Sequence, residues 1–372
     1  MSKKPAIFSF FSGAGFLDLG FEKSGFDLKF VNEFYRPFMD TYIYSRRIMG
    51  IPEPEYGYHL RDITDFITDE CSSLTSLVSQ ARKQDSLIGF IGGPPCPDFS
   101  VGGKNKGSEG ENGKLTATYV ELICQQKPDF FLFENVKGLW RTKKHRHFYE
   151  AMKVKLREAG YIMTERLINA IEYGVPQQRE RIILIGFQTN VLNGLRVTSD
   201  DEALSSVFPW LSHTKYTLEE VTNFPWVTTT PFQEDSEMKM PKGIPADLTI
   251  EYWFRQNDVS NHSNSNKYFT PRAGLVRFQS IPEGDDSKKS YKRLHRWRYS
   301  PTAAYGNNEV HLHPYKARRI SVAEALAIQS LPKEYALPDD ITLSAAFKTV
   351  GNGVPYLAAK GLAESILDFL EM

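Results

Sequence analysis

Cysteine, uncompensated charge and long apolar runs are what this chain has little of, and each shortage removes a class of function. Only Cys71, Cys96 and Cys124 occur in 372 residues, and none stands in a CxxC or CxxH spacing. Neither a disulfide framework nor a zinc cage is therefore expected. The short apolar run near the N-terminus breaks at glycines and carries no cleavage signature, and no stretch approaches the ~20 apolar residues that span a bilayer. A cytoplasmic protein with reduced thiols and no membrane contact is the resulting expectation. Charge balances, with 45 Lys and Arg against 45 Asp and Glu. The total therefore does not favour nucleic acid, and only local basic clusters can do so. Internal repeats and long low-complexity tracts are absent as well.

What is present is a chain able to build a core. Hydrophobic residues make up 41%, and the length suits two domains or one large domain with an insertion. Residues 5–11 read as a buried strand, followed by Ser12-Gly13-Ala14-Gly15 and a helical pattern through Leu17, Leu19 and Phe21. Further strands are predicted at 28–31, 86–91, 130–133 and 181–187, with helices at 118–126 and 148–159 between them. Alternation of this kind predicts an α/β fold with a doubly wound, mostly parallel, Rossmann-like sheet. From residue 188 to 317 the texture turns to Ser, Thr, Asn, Pro and charge, with poor helical periodicity. It returns to α/β at 320–331, and 356–369 reads as a closing helix. The expected division is 1–187 plus 340–372 as one domain, and 188–339 as a smaller, loop-rich domain with its hinge.

In such a sheet, ligands sit at the carboxyl ends of strands, and the informative residues lie there. Phe11, Gly13 and Gly15 follow the first strand; the glycines let backbone approach a ligand, and the aromatic ring can stack on a base. Glu33 ends the second strand, where a carboxylate can accept from ribose hydroxyls. Asp62, before Ile63, can accept from an adenine amino group. A plain tight turn explains the glycines equally well. Asp18 takes the last place of the GxGxxG spacing, which argues against a dinucleotide.

More specific is Pro94-Pro95-Cys96-Pro97-Asp98-Phe99-Ser100, a cysteine on a stiff turn at a strand end. Glycines at 102, 103, 107, 110 and 113 follow, either a loop able to close over a ligand or a simple surface turn. The competing role for Cys96 is that of a small buried hydrophobe. Glu134 stands directly behind four apolar residues, where a carboxylate is hard to solvate.

FSGAG, GGPPCPDFS, FENVKGL, Gln177-Gln178-Arg179-Glu180-Arg181 and Gly351-Asn352-Gly353-Val354-Pro355 occur in this order. Together they resemble the ordered motifs of the DNA (cytosine-5)-methyltransferases, especially the bacterial restriction-modification type. The resemblance covers roughly residues 6–187 and 318–366. It implies a class I S-adenosylmethionine-dependent fold, with S-adenosylhomocysteine as product. It implies that Cys96 is the nucleophile that adds to C6 of a flipped cytosine. It gives Glu134 the N3 and exocyclic amine, Arg181 the O2, and Arg179 support of the loop and phosphate. Phe11, Gly13, Gly15, Glu33, Phe34, Asp62, Ile63, Pro95, Leu115 and Asn352 fall where the family contacts the cofactor. Pro97 departs from the polar residue that many members carry there.

The same resemblance makes residues 188–317 the target-recognition region, with Thr302 near the target base. Two basic stretches then acquire a use: 137–147, with five Lys and Arg and two His, and 288–298, with six Lys and Arg around Tyr291 and Trp297. Expected DNA contacts are Ser100, Lys104, Lys106, Lys292, Arg293, Arg296, Arg298 and Thr302. Each basic run is otherwise a solvated face. His145 with His147, and His311 with His313, have no further ligand to complete a metal cage, so no metal is expected. The implied partners are double-stranded DNA with a short specific site and, functionally, a cognate restriction endonuclease, for a monomeric enzyme. A tRNA cytosine-5 methyltransferase is the first alternative, though the long 188–317 region suits a duplex reader. A non-catalytic DNA-binding protein on the same scaffold is the second. A nicotinamide-dependent oxidoreductase fails on the glycine spacing.

Overall fold

A sheet of seven strands organises the computed structural model, in which residues 4–68, 71–84, 87–95, 111–195, 200–271, 274–288, 290–303, 305 and 309–372 are described. The strands are β1 (Ala6–Phe10), β2 (Asp27–Glu33), β3 (Tyr58–Leu60), β4 (Ile88–Gly92), β5 (Phe130–Val136), β6 (Tyr161–Asn169) and β7 (Glu180–Gln188). They pair in the order β3-β2-β1-β4-β5-β7-β6. Pairs among the first five are parallel, and β7 runs antiparallel to both of its neighbours. Parallel strands covered on both faces read as unbroken apolar runs, and β1 is buried at every residue.

The two-residue period of a strand sorts the core into two layers. Ile7, Val31, Ile91 and Leu132 point to the face covered by the helices Phe16–Lys23 and Tyr356–Leu370. Phe8, Phe30, Phe90 and Phe131 point to the other, against the helices Cys71–Gln84, Glu111–Gln126 and Lys143–Glu158. The doubly wound α/β sheet read from the alternating pattern is the sheet that forms. Two strands had no clear signature. β3 is three half-buried residues at one edge, and β6 is the opposite edge, with polar Thr164, Glu165 and Arg166 in its middle.

Strand order reverses at β1 and β4, so the crevice beyond their carboxyl ends is the natural ligand position. β5 lies next to β4 and ends on the same edge. The antiparallel β7 delivers its first residues, not its last, to that edge, with Arg181 opposite Val136 and Ile183 opposite Glu134.

Beyond the sheet, among the described residues of 211–319, pairing is limited to single bridges: Thr230 with Glu283, Gln177 with Ser300, and Leu312 with Arg293 and Arg319. This region does not form a core of its own. Phe254, Val259, Leu294, Ala303, Tyr305 and Val310 share one cluster with Phe16, Leu19, Leu326, Phe347 and Val350. Packing does not change where the sequence texture changes. The helix Asp201–Val207 lies along β6, with Asp201 accepting from the Met163 N–H at 2.8 Å. Phe208 packs at a tilt against Phe187 and Phe369, and Trp210 meets Phe208 edge to face. The chain as far as Trp210 therefore still packs against the large sheet. On the return side, the helix Val322–Ile328 already belongs to the shared core, ahead of residue 340.

Candidate active site

The turn after β1 is built from uncommon backbone. Phe11, Gly13 and Gly15 have φ of 52°, 57° and 77°. A non-glycine residue at positive φ is a strained feature that persists only where its surroundings hold it. Gly15 has no alternative: a Cβ there would lie 2.3 Å from Cε2 of Tyr42, whereas one on Gly13 would meet nothing within 4 Å. The turn thus packs tightly underneath and stays open at Gly13. Glu33, at the end of β2, faces the same turn. Its Oε2 accepts from the Gly13 N–H at 2.9 Å and its Oε1 from the Tyr35 N–H at 2.7 Å. Burial pushes the Glu33 carboxyl upward, while the N–H groups of Tyr35, Gly13 and Phe34 and the Lys348 ammonium pull it back. Its roughly four lone-pair sites exceed the three N–H donors, so it keeps capacity for a sugar hydroxyl.

The other expected cofactor contacts stand on several different elements. Phe34 is 68% exposed directly after Glu33. Asp62 caps the short turn Ile63–Phe66 with one oxygen, accepting from Thr64 N–H and hydroxyl at 2.9 and 2.7 Å, and Ile63 is buried below it. Leu115 and Phe11 both border the core cluster on one face of the sheet. Pro95, just after β4, is exposed, as is Asn352 at the end of the helix Leu343–Asn352. An open backbone face and an aromatic ring on the turn, with the buried Glu33 carboxylate facing them, suit a nucleoside-bearing cofactor.

Sequence reasoning missed what lies beneath the turn. Asp18, noted only as a break in a glycine fingerprint, is fully buried and accepts from the Ser9 hydroxyl at 2.8 Å and the Tyr42 hydroxyl at 2.9 Å. Burial raises its pKa to about 6, against the lowering effect of Arg46. Arg46 stacks over the Tyr42 ring at 3.9 Å and pairs with Glu22 at 2.9 Å. The inward placement of Asp18 at i+1 from Leu17 breaks the helical face, which is the one signal the sequence offered.

On the next strand ends, Arg181 Nε lies 2.8 Å from Glu134 Oε1, with the two side chains 14% and 12% exposed. Gly93, just beyond β4, comes so close that a Cβ on it would lie 2.6 Å from Glu134 Oε2. Any side chain there would displace the carboxylate. Asn135 holds the following residue, donating from Nδ2 to the Pro94 carbonyl at 3.4 Å. The strand end leading to Cys96 is therefore fixed against Glu134. Cys96 itself lies outside the described residues, as do Ser100, Lys104 and Lys106.

Arg179 is 1% exposed. Its guanidinium donates to the Ala303 carbonyl at 3.2 Å and the Gly351 carbonyl at 2.9 Å. Burial and the neighbouring Arg181 push its pKa down. It joins three distant segments. Beside it Gln178 N–H donates to Ser300 O at 2.9 Å, and the exposed Thr302 donates its hydroxyl to Gln178 O at 2.7 Å. This joint brings Thr302 to the strand that carries Arg181.

Two of the expected DNA contacts are buried and bonded within the chain. Arg293, 1% exposed, gives its guanidinium to the carbonyls of Ile281, Phe278, His313 and Lys316. Arg296, 3% exposed, pairs with Glu283 at 2.8 Å. A loop-rich region with little ladder must satisfy its backbone by other means, and these arginines do so. Lys292 and Arg298 remain partly exposed. In the other basic stretch, Lys137 pairs with Glu180 at 2.6 Å. His311 is buried, with its pKa pushed down to about 3, and His313 lies 3.4 Å from Glu324. No group of three potential metal ligands occurs among the described residues. No helix among them is long and apolar enough to cross a membrane.

Comparison with known proteins adds to this geometry. The sequence matches the family model for C-5 cytosine-specific DNA methylase over residues 6–368. It is 57% identical over 370 residues to the type II methyltransferase M.NmeDI of Neisseria meningitidis serogroup C, covering 99% of this chain and 85% of that one. To the type II methyltransferase M.MthTI of Methanothermobacter thermautotrophicus it is 27% identical, covering 98% of each. Among solved structures, a prophage-encoded E. coli protein superposes with a TM-score of 0.66 at 22% identity, over 99% of this chain and 100% of that one. The Entamoeba histolytica methyltransferase EhMeth does so at 0.61 and 14%, over the whole of both. These two likenesses concern the fold alone.

Proposed function

Because the chain belongs to the C-5 cytosine-specific DNA methylases, we propose that its chemistry is divided among Cys96, Glu134 and Arg181, beside S-adenosylmethionine held on the turn 11–15. The enzyme is a DNA (cytosine-5)-methyltransferase of the type II restriction-modification class. C5 of cytosine is a poor nucleophile. Addition of the Cys96 thiolate to C6 turns the ring into an enamine whose C5 can attack, and covalent catalysis thereby splits one hard step into two. Glu134 holds N3 and the exocyclic amine and supplies a proton at N3, help typically worth ~10²–10⁴ in rate. Arg181 takes O2 and, at 2.8 Å, keeps the Glu134 carboxyl in place. S-adenosylmethionine, when bound, supplies the methyl group as an electrophile. Loss of the C5 proton and elimination of Cys96 restore aromaticity. The target atom is out of reach in a duplex, so the cytosine must be flipped out at a cost of a few kcal/mol.

Phe11, Gly13, Gly15, Glu33, Phe34, Asp62, Ile63, Pro95, Leu115 and Asn352 are the residues that would hold the cofactor. The region up to residue 339, with Thr302 joined to the Arg181 strand, would read double-stranded DNA. Lys292 and Arg298 would meet phosphates, together with Ser100, Lys104 and Lys106. Arg179 is assigned to the joint rather than to the base. A monomer in the cytoplasm, shielding host sites from a cognate endonuclease, completes the reading. The observation that carries it is the Glu134–Arg181 pair at the carboxyl edge, pressed against the strand end that leads into Cys96. DNA carrying 5-fluorocytosine at the target site should form a covalent adduct, because fluorine cannot leave as a proton does. Cys96→Ser should form none and lose methyl transfer while still binding DNA. Methyl transfer by that variant would remove Cys96 from its role.

A further inference from the structure

The turn 11–15 is gripped from outside its own strand and helix. Arg46 donates to the Gly15 carbonyl at 2.9 Å and, more distantly, to that of Ala14 at 3.4 Å. The short bond to the Ala14 carbonyl comes from the Tyr335 hydroxyl, at 2.7 Å and 321 residues away in sequence. Tyr335 is fully buried, edge-to-face on Phe16 with ring centroids 5.2 Å apart. Burial pushes its hydroxyl up to about 12, so it stays a donor at working pH.

The backbone of Tyr335 is itself held by the loop-rich region. His262 Nε2 lies 3.1 Å from the Tyr335 carbonyl. Asn264 donates to the Leu337 carbonyl at 2.9 Å and accepts from the Leu337 N–H at 2.8 Å, and Asn257 donates to the Leu331 carbonyl at 2.8 Å. A run of buried and half-buried hydrogen bonds therefore leads from residues 257–264 to Ala14. At the turn, Glu33 fixes the N–H of Gly13 and Tyr335 fixes the next carbonyl but one, on either side of the open backbone at Gly13. Backbone with three positive φ values in five residues keeps its shape only when its surroundings over-determine it.

We infer that Tyr335 is a positioning residue for S-adenosylmethionine: its hydroxyl, anchored through His262 and Asn264, fixes the Ala14 carbonyl and with it the backbone face that receives the cofactor. This rests on the reading of the turn 11–15 as the cofactor loop. Tyr335→Phe keeps the ring and removes only the hydroxyl. Tyr161→Phe is a matched control, since that hydroxyl is buried and donates to the Pro128 carbonyl at 2.7 Å at the opposite edge of the sheet.

Calorimetric titration of the full-length proteins with S-adenosylhomocysteine tests the inference without turnover. Tyr335→Phe should raise Kd about five- to tenfold, the size of one net hydrogen bond, with Tyr161→Phe at the wild-type value. A wild-type Kd for Tyr335→Phe overturns the positioning role, and so does an equal weakening in both variants, which is the mark of general destabilisation. Wild-type protein that binds no S-adenosylhomocysteine overturns the cofactor reading itself.

Discussion

Breaking the Glu134–Arg181 pair one partner at a time gives the sharpest physical test of the site. The charged atoms are 2.8 Å apart and both side chains are mostly buried. At an effective dielectric of about 20, two unit charges about 4 Å apart attract by roughly 4 kcal/mol. Drawing both groups out of water takes back a large part of that. Hydrogen bonds to charged groups net about 1.5–3 kcal/mol, so a coupling near ~2 kcal/mol is expected. Arg181→Met leaves the Glu134 carboxylate buried and uncompensated and should cost ~3 kcal/mol or more. Glu134→Gln keeps the shape and one acceptor oxygen and should cost about half as much. The double variant should be less destabilised than the sum of the two, by roughly 2 kcal/mol. Urea unfolding of the four ligand-free proteins measures this cycle. Losses that add to within about 0.5 kcal/mol would show that the pair carries no coupling and that the argument from its geometry is wrong. In methyl-transfer assays, Glu134→Gln should lose ~10²-fold or more in kcat.

The buried and exposed arginines of the second basic stretch should behave in opposite ways. Lys292→Ala or Arg298→Ala should each reduce the salt dependence of DNA affinity by about one unit of slope. Arg296→Met should leave the slope unchanged but lower stability by about 3 kcal/mol, because Glu283 loses its partner; a changed slope there would return Arg296 to the DNA surface. His311 has a pH consequence. Its folded pKa is pushed down to about 3 from 6.5. Between these values the unfolded chain holds the extra proton, so stability falls as pH drops below 6.5, by up to about 1.4 kcal/mol per pH unit. Denaturant unfolding between pH 6 and 5 should show a flatter slope for His311→Phe than for wild type, and equal slopes refute the burial argument. Asp18, whose pKa is raised, acts in the opposite sense in this window but cancels in the comparison.

Much of the scaffold was legible because a buried parallel sheet writes itself as apolar runs separated by helical periods. β1 and β5 are such runs, and Phe11 to Gly15 just after the first and Glu134 near the end of the second could be located without coordinates. β3 and β6 were not legible, since an edge strand needs no unbroken apolar pattern. Basic runs were only half legible: composition cannot distinguish Arg298, partly exposed, from Arg293, which is spent on backbone carbonyls.

The sequence by itself determined the class of chemistry through its ordered motifs, from FSGAG and GGPPCPDFS to FENVKGL and the glycines at 351 and 353, which carry the family resemblance. It also determined the period-two layering of the core. Only the tertiary structure decided which charges meet. The reversal of β7 brings the first residues of that strand to the carboxyl edge, so that Arg181 reaches Glu134, and no spacing in the sequence states that reversal. Likewise Arg46, Tyr335 and Asp18 come together under one turn from three places in the chain. Their partners were chosen by burial, which favours a partner for a polar group removed from water, wherever in the chain that partner lies.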